Sequence, residues 1–290
     1  MCEQIVHIFM YYLKTQGVFG VTEYRMDGVY LLQKEIPKAF IFDLDGTIYL
    51  GDHLIDGAKE SLQWVRETDA KVRFVTNNPR FSREFYKNKL HRFGIETTID
   101  EIITSAQITA NYLQQNKHYG KLFVIGEGQL LRELNEKELH LVNDDSADTV
   151  LVSFDTELYY EKLMIAYRAL NKGANFITTN PDAVCPTPDG GLIDSGAIIA
   201  ALETSTSRKL EKVIGKPSKI LGDLLIQQLG VEAEECVVVG DRLNTDVRLA
   251  KQSNMLAIWI RTYNEKIPKA TEYYPDYTIT SITELPSLFR

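Results

Sequence analysis

The segment Phe42-Asp43-Leu44-Asp45-Gly46-Thr47 places two carboxylates two residues apart at the end of an apolar run. In extended backbone such residues point to the same side, so Asp43 and Asp45 share a face. Gly46 lets the chain turn at once and leaves backbone N–H groups open to an anion. A second acidic segment, Gly240-Asp241-Arg242-Leu243-Asn244-Thr245-Asp246, also follows an apolar run. Asp43, Asp45 and Asp241 together offer oxygen ligands without His or Cys, a donor set that suits Mg²⁺ rather than zinc or copper. Carboxylates brought this close repel one another, and a cation resolves the repulsion.

Two more segments carry groups that hold phosphate oxygens. Thr76-Asn77-Asn78-Pro79 supplies a hydroxyl, amide side chains and backbone N–H groups at another strand end. Lys216 stands between Gly215 and Pro217, after the apolar Val213-Ile214 and before a helix, which favours an inward-facing ammonium. Each segment also has an ordinary reading. Asp, Gly, Asn and Pro are turn formers, Asn244 or Thr245 can cap a helix whose first turn welcomes Asp246, and most lysines are solvated.

These groups meet only if the chain brings the strand ends together. From Ala39 onward, short β-rich apolar runs alternate with segments of helical period, the pattern of a parallel sheet with helices on its faces. Strands are expected at 39–42, 72–76, 236–239 and 256–260, and helices at about 58–67, 82–93, 219–229 and 245–251. The helix at 82–93 is expected to bury Phe85, Leu90 and Phe93 and to stop at Gly94. In open α/β sheets ligands bind beyond the carboxyl ends of strands, where Asp43, Thr76 and Asp241 would converge.

Between the halves lies an insertion with its own alternation, enough for a second, smaller α/β domain. The expected division is an N-terminal extension over 1–36, a core from 37–117 and 210–290, and an inserted domain over 118–209. Only about 30 residues separate Asp45 from Thr76, room for one crossover helix and no domain. The long gap before Lys216 is where the insertion falls.

The composition, 44% hydrophobic and 25% charged over 290 residues, is that of a globular chain. A net charge of −8 argues against nucleic acid as a partner. The apolar stretch Ile5–Leu13 is far short of the roughly 20 residues that span a bilayer, so neither a membrane helix nor a signal peptide is expected. Cys2, Cys185 and Cys236 are too scattered for zinc or a disulfide framework and fit a reducing cytoplasm. The five histidines are scattered and are read as structural or surface groups. Whether the chain forms a homo-oligomer stays open.

The four segments DLDGT, TNN, GKPS and GDRLNTD, in that order and at strand ends, resemble the haloacid dehalogenase superfamily from about residue 37 onward. TNN, GKPS and GDRLNTD look like its NagD-like, 4-nitrophenylphosphatase-type branch, which carries a class IIA cap between the second and third motifs. The resemblance implies a Rossmann-like doubly wound parallel sheet and Mg²⁺-dependent hydrolysis of a small phosphate monoester, such as a sugar phosphate or nucleotide. It implies Asp43 as nucleophile, forming an aspartyl-phosphate, and Asp45 as acid and then base. Asp43, Asp241 and the Asp45 carbonyl would hold Mg²⁺. Thr76, Lys216 and N–H groups around Leu44 and Asn77 would hold the phosphate, and Asp246 would orient Lys216 or a metal-bound water. The cap segment Thr179–Pro186 resembles the loop that relatives turn toward the site, with Asn180 and Asp182 as specificity candidates. A phosphotransferase, or a phosphometabolite-binding module without catalysis, are the alternatives.

Overall fold

The protein is described from a computed structural model covering residues 21–26, 29–187, 190–261 and 272–289. Strands β1 (Val21–Met26) and β2 (Val29–Lys34) pair as an antiparallel hairpin within the expected N-terminal extension. The apolar stretch at 5–13 lies outside the described residues. Strand β3 (Ala39–Phe42) begins the core, followed by the short hairpin of β4 (Tyr49–Leu50) and β5 (His53–Leu54). Next come helix α1 (Ala58–Glu67), β6 (Lys71–Thr76), α2 (Arg83–Arg92), β7 (Ile102–Thr104) and α3 (Ser105–Gln115).

The inserted region runs through β8 (Leu122–Ile125), α4 (Gly128–Glu136), β9 (Thr149–Val152), α5 (Tyr160–Asn171) and β10 (Asn175–Thr178). It continues with the hairpin β11 (Val184–Thr187) and β12 (Gly190–Ile193), then α6 (Ser195–Thr206) and β13 (Lys212–Val213). The core resumes with α7 (Lys219–Leu229), β14 (Cys236–Gly240), α8 (Arg248–Gln252), β15 (Leu256–Ile260) and β16 (Tyr277–Ile279). No helix among the described residues is long and apolar enough to cross a membrane.

The core sheet has six parallel strands in the order β16-β15-β14-β3-β6-β7. From β3 the chain steps outward to β6 and β7, then returns to the other side of β3 at β14. The switch point therefore falls between β3 and β14, the place where open α/β sheets bind ligands. Alternation of side chains along each strand fills both faces. Ala39, Ile41, Val238, Ala257 and Trp259 pack with α7 and α8 on one face. Phe40, Phe42, Val237, Val239 and Ile258 pack with α1, α2 and the C-terminal turn around Phe289 on the other.

The inserted sheet is also parallel, in the order β13-β10-β9-β8. Leu151 and Ile177 join the apolar cluster that reaches into the core through α3 and α4. Val150, Val152 and Phe176 face the other way, onto α5 and α6. This sheet ends with Lys212 and Val213, beyond residue 209, and its ladder continues as Ile214 N–H donates to the Thr178 carbonyl at 3.0 Å and Gly215 N–H to that of Thr179 at 2.8 Å. The return from cap to core is thus the strand that delivers Lys216.

Two local expectations are corrected. In α2, Phe85 is exposed and stacks on Phe81 at 4.1 Å, while Tyr86, Lys89 and Leu90 turn inward. Ser82 caps this helix through the Phe85 N–H, setting a rotation that puts the pair four apart, Tyr86 and Leu90, on the sheet. The helix expected at 245–251 instead opens with a wide π-turn over Leu243–Val247, and neither Asn244 nor Thr245 caps it. Strand β7, helices α3 and α4 and the β11–β12 hairpin were not expected from the sequence.

Phe40 is fully buried and meets Phe42, Trp64 and Phe289 with ring centroids 6.1, 6.1 and 5.9 Å away. Phe40→Ala is expected to lower the unfolding free energy by about 3–5 kcal/mol, measured by urea denaturation. A loss under about 1 kcal/mol would show that this face is not tightly packed.

Candidate active site

Asp43 leaves β3 with its N–H donating to the Val239 carbonyl at 2.9 Å, which locks it beside the end of β14. The chain then turns sharply, as the Leu44 carbonyl accepts from the N–H groups of Thr47, Ile48 and Tyr49. Gly46 adopts φ 95°, and a Cβ there would lie 2.3 Å from Asp241 Oδ2. Glycine is therefore required twice over, by the turn and by the approach of Asp241. Asp241 is held from its other side, where Trp259 Nε1–H donates to its carbonyl at 2.8 Å.

Lys216 enters this cluster from the cap-to-core strand. Its Nζ donates to Asp43 Oδ1, to Asp246 Oδ1 at 2.8 Å and to the Val75 carbonyl at 3.2 Å, so all three hydrogens are used. The second Asp246 oxygen accepts from the Arg242 N–H at 3.1 Å. Asn77 clamps the lysine's backbone: its Oδ1 accepts from Lys216 N–H at 2.9 Å and its Nδ2 donates to Lys216 O at 3.0 Å. The Thr76 hydroxyl accepts from Asn78 N–H at 3.1 Å and faces the same cleft, as does Asp45.

Carboxylate oxygens of Asp43, Asp241 and Asp246 lie within 4.8 Å of one another. Burial, with Asp43 and Asp246 beside it, pushes Asp241 up to about 8. Burial likewise raises Asp246 to about 6 against the pull of Lys216, and raises Asp43 and Asp45. Burial opposes the charge on Lys216 as well, but Asp246 and Asp43 outweigh it and keep the ammonium protonated. The protein's own cations leave these carboxylates short of positive charge. Asp241 Oδ1 is buried with no hydrogen-bond partner, an expensive state for a carboxylate oxygen. An all-oxygen donor set with one buried oxygen unpaired fits a hard divalent cation. Both Asp246 oxygens are engaged, which leaves Asp43 and Asp241 as the carboxylates free to serve one.

The cap closes on this cluster through Asp182. Its Oδ1 accepts from Arg242 Nη1 at 2.7 Å and its Oδ2 from Asn77 Nδ2 at 2.7 Å, tying the cap loop to two core motifs. Cys185, Pro186 and Asp194 line the same cleft, which encloses about 40 Å³, room for a few waters. A larger cavity of about 260 Å³ lies away from these residues, between Leu113 and Asp148, and takes no part in the cluster.

Asn180 departs from its expected place. It is fully buried, and its amide donates to Asp182 at 3.1 Å and to Asp194 at 3.3 Å, so it supports the loop rather than facing a ligand. Sequence reasoning passed over Arg242, Cys185 and Asp194. Arg242 stands inside the GDRLNTD segment, and its neighbours there were the only available signal. Cys185 stands inside the Thr179–Pro186 segment, whose resemblance was its signal, and nothing in the local pattern marks Asp194.

Residues 40–140 match the family described as haloacid dehalogenase-like hydrolase, and residues 213–285 match a second description, HAD-hydrolase-like. The chain is 34% identical over 253 residues to the sugar-phosphatase AraL of Bacillus subtilis, covering 87% of this chain and 93% of that protein. It is 32% identical to an acid sugar phosphatase of Staphylococcus haemolyticus, covering 86% of this chain and 96% of that one. Among solved structures, a 4-nitrophenylphosphatase from Thermotoga maritima superposes with a TM-score of 0.79 at 34% identity, over 88% of this chain and 98% of that one. NagD from Escherichia coli K-12 gives 0.75 at 26% identity, over 86% and 98%. With its motifs at the ends of a switch-point sheet and its cap inserted after the second of them, this chain belongs to the haloacid dehalogenase-like hydrolases, in the NagD-like branch with a class IIA cap, and is a phosphoric monoester hydrolase.

Proposed function

We propose that the enzyme hydrolyses small phosphorylated metabolites, sugar phosphates foremost, through a phosphoryl group carried on Asp43. The observation that carries this reading is Asp43 itself, a buried carboxylate fixed by Lys216 at the mouth of the cap cleft. The names of the Bacillus and Staphylococcus relatives support sugar phosphates as the class.

In this reading Asp43 attacks phosphorus in line with the leaving oxygen, which divides one difficult displacement into two easier ones. Asp45 gives its proton to the leaving alcohol, and as carboxylate then takes one from the water that cleaves the acyl phosphate. The Thr76 hydroxyl and the N–H groups of Leu44 and Asn77 hold the phosphoryl oxygens. Lys216 offsets their charge from a position that Asp246 and Asn77 fix in advance, so no reorganisation is needed as charge develops. The Asp43 and Asp241 carboxylates and the Asp45 carbonyl are the groups that would hold Mg²⁺, whose charge would offset their repulsion and polarise a phosphoryl oxygen.

Asp43→Asn is expected to leave circular dichroism unchanged and to reduce turnover of 4-nitrophenyl phosphate below about 1% of wild type. Activity above a few per cent would remove Asp43 from the nucleophile's role. Treatment with EDTA is expected to abolish activity and added Mg²⁺ to restore it. In parallel, Mg²⁺ should raise the melting temperature of the wild type but not of Asp241→Asn, since only a bound ligand stabilises the fold. Equal shifts in both proteins would place the cation elsewhere.

A further inference from the structure

Lys89, on α2, has no part in the reaction described above, yet only 8% of it is exposed, and a lysine is rarely so buried without a reason. Its Nζ lies 3.7 Å from the centroid of the Tyr49 ring. Tyr49 is fully buried, braced by Phe93 at 5.8 Å, and its hydroxyl donates to Asp45 Oδ2 at 3.5 Å. Its backbone is fixed to the same turn, since Gly46 N–H donates to the Tyr49 carbonyl at 2.8 Å and Asp45 bridges to Tyr49. Burial lowers the Lys89 pKa, and the carboxylates of Asp45 and Asp52 oppose that and favour its charge. Thus a chain of contacts runs from a buried ammonium, through an aromatic face, to one oxygen of Asp45.

A cation on a ring face is attracted by the π electrons and draws density from the ring, which makes the phenol a stronger donor. We propose that Tyr49 and Lys89 are positioning residues for Asp45. Lys89 fixes and polarises the Tyr49 ring, and the Tyr49 hydroxyl holds one Asp45 oxygen so that the other faces the leaving group. This rests on the assignment of Asp45 as the acid in the proposed reaction. In that step an Asp43 oxygen bonds to phosphorus as the bond from phosphorus to the leaving oxygen breaks. The Asp45 proton passes to that oxygen, giving the alcohol, the acyl phosphate and the Asp45 carboxylate. Correct aim matters most when the leaving group is a poor one, because an alkoxide cannot depart unprotonated whereas 4-nitrophenolate can.

The test is kcat/KM over a series of phosphate monoesters from 4-nitrophenyl to simple alkyl phosphates. Tyr49→Phe keeps the ring and its contact with Lys89 and removes only the hydroxyl. It is expected to lose about threefold on 4-nitrophenyl phosphate and about thirtyfold on an alkyl phosphate, a steeper dependence on the leaving group than wild type. Lys89→Met is expected to tilt the series the same way and Lys89→Arg to restore most of it, with melting temperatures recorded for each. Should Lys89→Met fail to fold, Tyr49→Phe decides alone. An equal loss on every ester, or the wild-type slope, overturns the proposal. Asp45→Asn on the same series separates the two layers. If it leaves the slope unchanged, the acid assignment itself fails; if it steepens the slope and Tyr49→Phe does not, only the positioning role fails.

Discussion

Lys216 sets one ammonium between two buried carboxylates, Asp43 and Asp246, and the rest of the site is arranged around that sharing. Asp43, at the end of β3, and Asp246, in the π-turn after β14, could not both stay ionised in so buried a cluster without it. Removing one partner of such a buried pair costs about 3–5 kcal/mol, because the other charge is left uncompensated. The surroundings serve the same end. Asn77 grips the Lys216 peptide from both sides, and the cis peptide between Lys216 and Pro217 belongs to the loop that presents the ammonium. Asp246 reaches back to the Arg242 N–H, and Gly240 leaves no Cβ where the Asp246 carboxylate packs, 2.3 Å from where that Cβ would be.

The cap meets this centre through one loop. Asp182 joins Arg242 and Asn77, while Arg80 and Glu127 form a second pair between core and cap at 3.0 Å. The space left between Asp43 and Asp182 is narrow, with water-accessible room of about 40 Å³. Asn180, buried beneath the loop, donates to both Asp182 and Asp194 and so keeps Asp182 aimed.

The catalytic core could be read from the chain because its signals are local. A parallel strand buried on both faces is an unbroken apolar run, so the ends at Asp43, Thr76 and Asp241 stood out, and glycines at 94 and 230 marked helix ends through their left-handed backbone. What escaped depends on distance or rotation. Residues Asp182 and Arg242 are 60 positions apart, and no pattern announces such a pair. Asn180 and Asp182 stand two residues apart in one segment expected to face the site, yet one is fully buried beneath the loop and the other latches the cap. Lys89 hid in a helix whose apolar stripe was placed on Phe85, because a small rotation set by the Ser82 cap decides which face turns inward. Strand β7, of three residues, is too short to show a period.

The most direct measurement is of the covalent intermediate. Enzyme, Mg²⁺ and excess 4-nitrophenyl phosphate would be mixed for milliseconds, quenched in acid, digested and analysed by mass spectrometry. The expected result is a peptide heavier by one phosphoryl group, with the modification on Asp43 and none in Asp43→Asn. Burst-phase release of 4-nitrophenol with no phosphorylated Asp43, or with the group on another residue, would contradict Asp43 as the nucleophile.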